Sequence, residues 1–400
     1  MPSRKREIIR LLTRIAFLAL FIGFLLTASL PLLSRILPQT SAFAVLASFI
    51  AEKNISFPVV WLVLPGVFIL SGIIGGRLFC RWVCPMGTVF SAASKYSFKK
   101  QLFRWNIAGM IFWAGIFSSV LSVPVFLFLD PLSQFTRLGL PLGNIIIPAT
   151  LVPLSFTLAL VLVHFIQPLL WCAKLCPLGY LAKFLRKDEK PLMGKFVRER
   201  RELMGGIVTG LSLALVYRKL GALRRNGGKT EFPLLPPGAG NTEKFSALCM
   251  RCYACVKACP SGILTVKFPH NGDAGSWFAP EMDADKGVCD QYCTECCKVC
   301  PTGAINFLED KAKQRLQIGI AEVIRPACLA WTDKEHCMVC QEFCPYGAIK
   351  IDESPEGIPR PVVKEEVCRG CGACQNACPA IRQGKAIIIH GVDKQHFLPG

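Results

Sequence analysis

Seventeen of the 21 cysteines in this chain fall after residue 248, and sixteen of them form four sets of four. The first set is Cys249, Cys252, Cys255 and Cys259, followed by Pro260. The second is Cys289, Cys293, Cys296 and Cys300, followed by Pro301. The third is Cys328, Cys337, Cys340 and Cys344, with Pro345; the fourth is Cys368, Cys371, Cys374 and Cys378, with Pro379. All four end C-x2-C-x3-C-P, and four thiolates in that run are the ligand set of a [4Fe–4S] cubane. A disulfide framework belongs to small secreted scaffolds and carries no repeated C-P ending. Zinc sites use separated C-x2-C pairs. The spacing therefore predicts four cubanes and electron transfer.

Four further cysteines form an internal repeat. Cys80-Arg-Trp-Val-Cys84-Pro85-Met86-Gly87 and Cys172-Ala-Lys-Leu-Cys176-Pro177-Leu178-Gly179 share C-x3-C-P-[ML]-G and lie 92 residues apart. A duplication of this kind reads first as repeated structure. Two helical hairpins about a pseudo-twofold axis would bring the loops together, so that Cys80, Cys84, Cys172 and Cys176 hold a fifth cluster; the alternative is that each loop takes ligands from a partner. Cys297 is the spare cysteine, a packed thiol beside the second set or a substitute ligand for Cys296. His336, next to Cys337, is expected at the surface or behind the thiolates. Tyr253, Tyr292, Trp331 and Phe343 are expected to pack around clusters and keep water out.

The elements that must position these loops follow from composition. Hydrophobic residues make up 52% of the chain and charged residues 18%, the balance of a membrane protein. Four apolar stretches, 15–33, 59–78, 105–129 and 145–170, each suffice for a helix across a bilayer. Residues 1–230 hold 28 Lys and Arg against 7 Asp and Glu, concentrated in the head, the second connection and the stretch after the fourth span. The first and third connections carry only Arg35, Lys53 and Arg137, partly balanced by Glu52 and Asp130. That asymmetry predicts a cytoplasmic N-terminus and argues against nucleic acid as the partner of the basic charge. Arg200-Arg201 before the weakly apolar run Leu203–Tyr217 looks like a retained twin-arginine export signal forming a fifth, short anchoring helix.

The expected fold is thus an α-helical membrane domain of four spans plus that helix, followed by an α+β double ferredoxin-like domain. The divisions are 1–190 (membrane domain with inner-face loops), 191–225 (twin-arginine segment and fifth helix), 226–241 (linker) and 242–400 (polyferredoxin). The expected location is a bacterial or archaeal cytoplasmic membrane, multi-pass, with the ferredoxin domain on the periplasmic side. Within the ferredoxin half, Cys-Pro-x-Gly should turn the chain after each of the first three sets into a short strand. In two-cluster ferredoxins the fourth cysteine of one run ligates the other run's cluster. The regular first and fourth sets are expected to pair, as are the second and third.

Together these motifs resemble a known family. Four spans with two C-x3-C-P loops resemble the NapH-type membrane subunit of quinol dehydrogenases, and the twin arginine with four cluster runs, including the gap from Cys328 to Cys337, resembles the NapG/MauM-type periplasmic ferredoxin. The resemblance implies a fusion of the two that passes electrons from quinol to a periplasmic cytochrome or metalloenzyme. It departs from the NapH type in having only basic residues where further cytoplasmic ferredoxin runs commonly follow the last loop. An alternative reading is a conduit from a cytoplasmic ferredoxin or flavoprotein donor to a periplasmic metalloenzyme or its maturation; a redox sensor or scaffold is a third. His164, inside the fourth apolar stretch, is a candidate for a quinone site. Membrane lipid and quinone are the expected small partners, and no bond-making catalytic motif is visible.

Overall fold

Proline and glycine punctuation cuts the apolar first half into helices shorter than its hydropathy suggests. The computed structural model describes residues 4–26, 36, 38–52, 62–98, 105–121, 123, 129–138, 148–186, 193–225, 232–266, 278–353, 357–380 and 384–399. The helices of the first half are α1 (Arg4–Leu26), α2 (Ala42–Glu52), α3 (Val63–Gly75), α4 (Leu78–Trp82), α5 (Pro85–Lys95) and α6 (Ala108–Val120). They continue with α7 (Pro131–Arg137), α8 (Pro148–Ile166), α9 (Pro177–Phe184) and α10 (Met193–Arg225), with a π-helical turn, Trp171–Leu175, before α9.

Among the described residues no helix is long and apolar enough to cross a membrane, which overturns the expected four-span domain and its anchoring helix. The reasons are local. The second apolar stretch ends at Gly76, whose φ of +63° only glycine adopts freely, leaving a 13-residue α3 of about 20 Å. The third yields another 13-residue helix, α6. Of the first, only 15–26 lies in α1, whose preceding turns carry Arg4, Lys5, Arg6, Glu7, Arg10 and Arg14. Residues 27–33, 59–61, 124–128 and 145–147 of the expected spans, and 226–231 of the linker, lie outside the described residues. The expected short helix at Leu203–Tyr217 is instead the middle of the 33-residue α10.

α10 runs along α6 at close range. A Cβ on Gly210 would stand 2.6 Å from the Ala114 carbonyl oxygen, and one on Gly206 would collide with the Trp113 Cβ, so both positions need glycine for the backbones to approach.

The second half places short helices and strand pairs around the cysteines. α11 (Thr242–Leu248), capped by Asn241 through the Lys244 N–H, ends at Cys249, and α12 is Ala254–Ala258. Strand β1 (Leu264–Val266) pairs antiparallel with β2 (Pro280–Met282). Helices α13 (Glu295–Val299) and α14 (Asp310–Arg315) lead into β3 (Leu316–Val323). After α15 (Val339–Glu342), β4 (Ile349–Glu353) and β5 (Pro359–Val363) form a second antiparallel pair. α16 (Ala373–Ala377) precedes β6 (Ile387–Phe397), which returns to pair with β3. Strands thus follow the first and third Cys-Pro-x-Gly turns as expected, whereas the chain after Cys300 bends without forming one.

Candidate iron–sulfur sites

The local backbone explains why cysteine and proline recur together. Gly262, Gly303 and Gly347 of the three Cys-Pro-x-Gly turns all have positive φ, from +60° to +70°. The turn then directs backbone N–H groups at sulfur: Ile305 N–H donates to Cys300 Sγ and Ala348 N–H to Cys344 Sγ, both at 3.3 Å. In the first set the residues flanking the second cysteine, Arg251 (φ +57°) and Tyr253 (φ +62°), are left-handed; their counterparts in the fourth set are Gly370 (φ +76°) and Gly372 (φ +88°). The same loop is therefore built twice.

Three cavities show how twelve of the sixteen thiols are shared. Cys249, Cys252 and Cys255 line one together with Cys300, the last cysteine of the second set. Cys368, Cys371 and Cys374 line another with Cys344, the last of the third. Cys328, Cys337 and Cys340 line the remaining one with Cys378, the last of the fourth. By the same exchange Cys259 belongs with Cys289, Cys293 and Cys296. Burial pushes the Cys289 thiol up to about 11, Lys313 opposes that, and Cys296 and Cys259 add to it. Cys259 likewise raises Cys293 and Cys296. The pairing is first with second and third with fourth, which corrects the expected pairing of first with fourth and second with third.

Three of the four groups line apolar hollows. Burial, with neighbouring thiolates adding, pushes Cys252 and Cys340 up to about 12 and Cys371 up to about 11. Several buried thiolates facing one another are stable only around a cation that offsets their charge, and this is what iron in a cubane provides. The thiols of those three groups surround a volume, as a cage cofactor requires.

The duplicated loops repeat one device in the first half. Cys84 caps α5 and Cys176 caps α9, each with proline at the first helical position. Cys84 Sγ accepts from Gly87 N–H at 3.4 Å, and Cys176 Sγ accepts from Gly179 N–H at 3.3 Å. A helix N-terminus favours the thiolate, and glycine fits because a Cβ there would press on the carbonyl oxygen of Cys80 (2.8 Å) or of Cys172 (3.2 Å). The loops face each other. Burial pushes Cys84 up to about 12 with Cys172 adding, Cys172 is raised in turn by Cys176 and Cys80, and Cys176 by Cys80 and Cys84. Arg14 of α1 donates to the Arg81 carbonyl at 2.6 Å, between the two loop cysteines Cys80 and Cys84. The four thiols could hold one shared cluster.

The remaining sequence candidates are placed as follows. His164 is buried and stacks on Phe90 with ring centroids 4.1 Å apart. Its Nδ1 meets the Leu160 carbonyl and its Nε2 accepts from Trp171 N–H at 3.3 Å, so both ring nitrogens serve the backbone next to Cys172. Cys297 is buried with its thiol on the Pro237 carbonyl at 3.4 Å. His336 is exposed. Tyr253 is buried and Trp331 lies between Arg325 and Arg360, 4.5 and 4.8 Å from its ring centre. Tyr292 and Phe343, expected to seal clusters, are instead exposed.

Sequence reasoning missed the buried charges. Asp130 and Arg137, read as loop charges in solvent, are buried at opposite ends of α7. Asp130 caps the helix, accepting from Leu132 N–H (3.1 Å) and Ser133 N–H (2.9 Å), and takes a hydrogen bond from Ser41. Arg137 donates to the carbonyls of Arg251 (2.9 Å) and Met250 (3.1 Å), and Thr136 to that of Cys252 (3.2 Å), so α7 grips the first cysteine loop. Lys313 is buried and donates to the carbonyls of Asp290 and Cys293. The available signal was Asp130-Pro131 with Ser133, a helix start inside an apolar stretch.

Comparison with known proteins agrees with this arrangement. Residues 248–315 and 335–381 match the 4Fe-4S dicluster domain, and residues 57–103 and 148–201, which contain both loops, match the 4Fe-4S binding domain. The ferredoxin-type protein NapG of Escherichia coli is 31% identical over 231 residues, 53% of this chain and 95% of that protein. The chain belongs to the NapG family of ferredoxin-type proteins. The ferredoxin-type protein NapF of Escherichia coli is 31% identical over 40% of this chain and 88% of its own length. The methylamine utilization ferredoxin-type protein MauM of Paracoccus denitrificans is 27% identical over 48% and 87%. No solved structure matches. The chain is an iron–sulfur electron-transfer protein, as its sequence indicated.

Proposed function

We propose that this chain is an electron wire of five [4Fe–4S] clusters that takes electrons from quinol at its duplicated loops and delivers them to a periplasmic redox partner. The observation that carries it is the crossed sharing of cysteines, four sets in two units, together with four more thiols facing one another in the first half. A cubane in each set would store and pass one electron at a time. The protein's part is to order the sets. α7 holds the loop pair against the first set, since Asp130 lies close enough to raise Cys84 and Cys176 while Arg137 and Thr136 bond the first cysteine loop. Cys289 N–H donates to the Cys371 carbonyl at 2.9 Å, joining the two units. The order is then loops, first set, second set, fourth set, third set.

Support for a quinol donor comes from the surface beside the loops. Ile8, Leu11, Leu12 and Ile15 of α1 are exposed on the helix whose Arg10 and Arg14 bond the Cys80–Cys84 loop, a face suited to an apolar donor. The exposed Arg201 of the twin arginine supports placing the acceptor on the periplasmic side. His164 acts in this reading as a strut for the Cys172 loop. The test is anaerobic mixing of the iron-loaded chain with a soluble quinol. Cluster reduction is expected, and a Cys80→Ser/Cys172→Ser variant should lose it. Reduction by a reduced ferredoxin or flavoprotein but not by quinol would replace the donor with a cytoplasmic one.

A further inference from the structure

The cluster sets differ in the cations set against them. The first set has two buried guanidiniums. Arg137 bonds the Met250 and Arg251 carbonyls, and Arg251 Nη1 donates to the Cys249 carbonyl at 2.8 Å; the residues are 2% and 6% exposed. The second set has one buried ammonium, Lys313. At the third, Lys385 bonds the Cys378 carbonyl at 2.6 Å, and at the fourth, Arg369 bonds the Val367 carbonyl at 3.1 Å, but both residues are partly exposed. Solvent and salt screen an exposed charge far more than a buried one, and net charge with local hydrogen bonding sets a cluster's potential. Asp130, the nearest opposing charge on α7, is turned to Ser41 and the helix N-terminus.

We propose that Arg137 positions the first cysteine loop and raises the potential of the cluster held by Cys249, Cys252, Cys255 and Cys300, so that with Arg251 it makes this the first of the four ferredoxin-half clusters to be reduced. The inference rests on the cluster assignment above. A residue from the first half thereby sets where electrons rest at the junction of the two halves.

The test is an EPR-monitored redox titration of the whole iron-loaded chain. In the unsubstituted protein the first ferredoxin-half signal to appear must be the one altered by Cys300→Ser; if Cys300→Ser alters a later signal, the inference is overturned. Arg137→Gln should lower that signal's ratio of reduced to oxidised cluster about tenfold at a given potential, about 59 mV for one electron, leaving the others in place. Arg137→Lys should restore most of it. An unchanged midpoint in Arg137→Gln, or an equal shift of every signal, overturns the inference. Arg251→Gln repeats the measurement should Arg137→Gln lose iron. A parent protein without cubane signals would overturn the functional reading instead.

Discussion

Single residues carry more of this chain's organisation than their neighbours in sequence suggest. Cys84 and Cys176 are at once helix caps and candidate ligands, which explains why proline and glycine follow each at fixed distance. The sixteen ferredoxin cysteines were legible because iron needs four thiolates at fixed spacing. Their partnership was not legible. The first and fourth sets share left-handed residues around the second cysteine, but that likeness records the same local loop and says nothing of which loops meet. Arg137 and Lys313 were invisible for a related reason, since a buried cation is recognised only when the carbonyls it bonds are known. The exchange makes a sharp prediction. Cys259→Ser should alter the same EPR signal as Cys296→Ser and spare the one altered by Cys252→Ser; a match to Cys252→Ser would show that each run ligates its own cluster.

At the scale of elements, hydropathy counted apolar residues correctly and misjudged what they build. Gly76 breaks one stretch and charged residues occupy the first turns of α1, so among the described residues no helix is both long and apolar enough to cross a membrane. The close contact of α10 on α6 depends on which glycine is changed. Gly210→Ala puts a methyl 2.6 Å from the rigid Ala114 carbonyl and should cost about 1–3 kcal/mol. Gly205→Ala meets only the flexible Met110 side chain at 3.2 Å and should be near neutral, or stabilising by up to about 1 kcal/mol through helix propensity. Thermal unfolding of the two variants compares them directly. Equal losses would mean that α10 does not lie on α6 in this register.

At the scale of the whole molecule, the two halves are joined by α7, whose Thr136 and Arg137 bond the first cysteine loop. The ferredoxin half was legible as a class from its cysteines, and two of its three strand pairs followed the Cys-Pro-x-Gly turns at the first and third sets. The joint was not legible, because no local pattern announces that Thr136 and Arg137 reach residues more than a hundred positions away. A five-cluster wire requires the loops of the first half to hold a cluster of their own. Iron and sulfide content of the anaerobically purified chain measures this most directly. Five cubanes give about 20 irons and 20 sulfides per chain, and Cys80→Ser/Cys172→Ser should remove about four of each while leaving the ferredoxin signals intact. About 16 irons in the parent protein, unchanged in that variant, would contradict it.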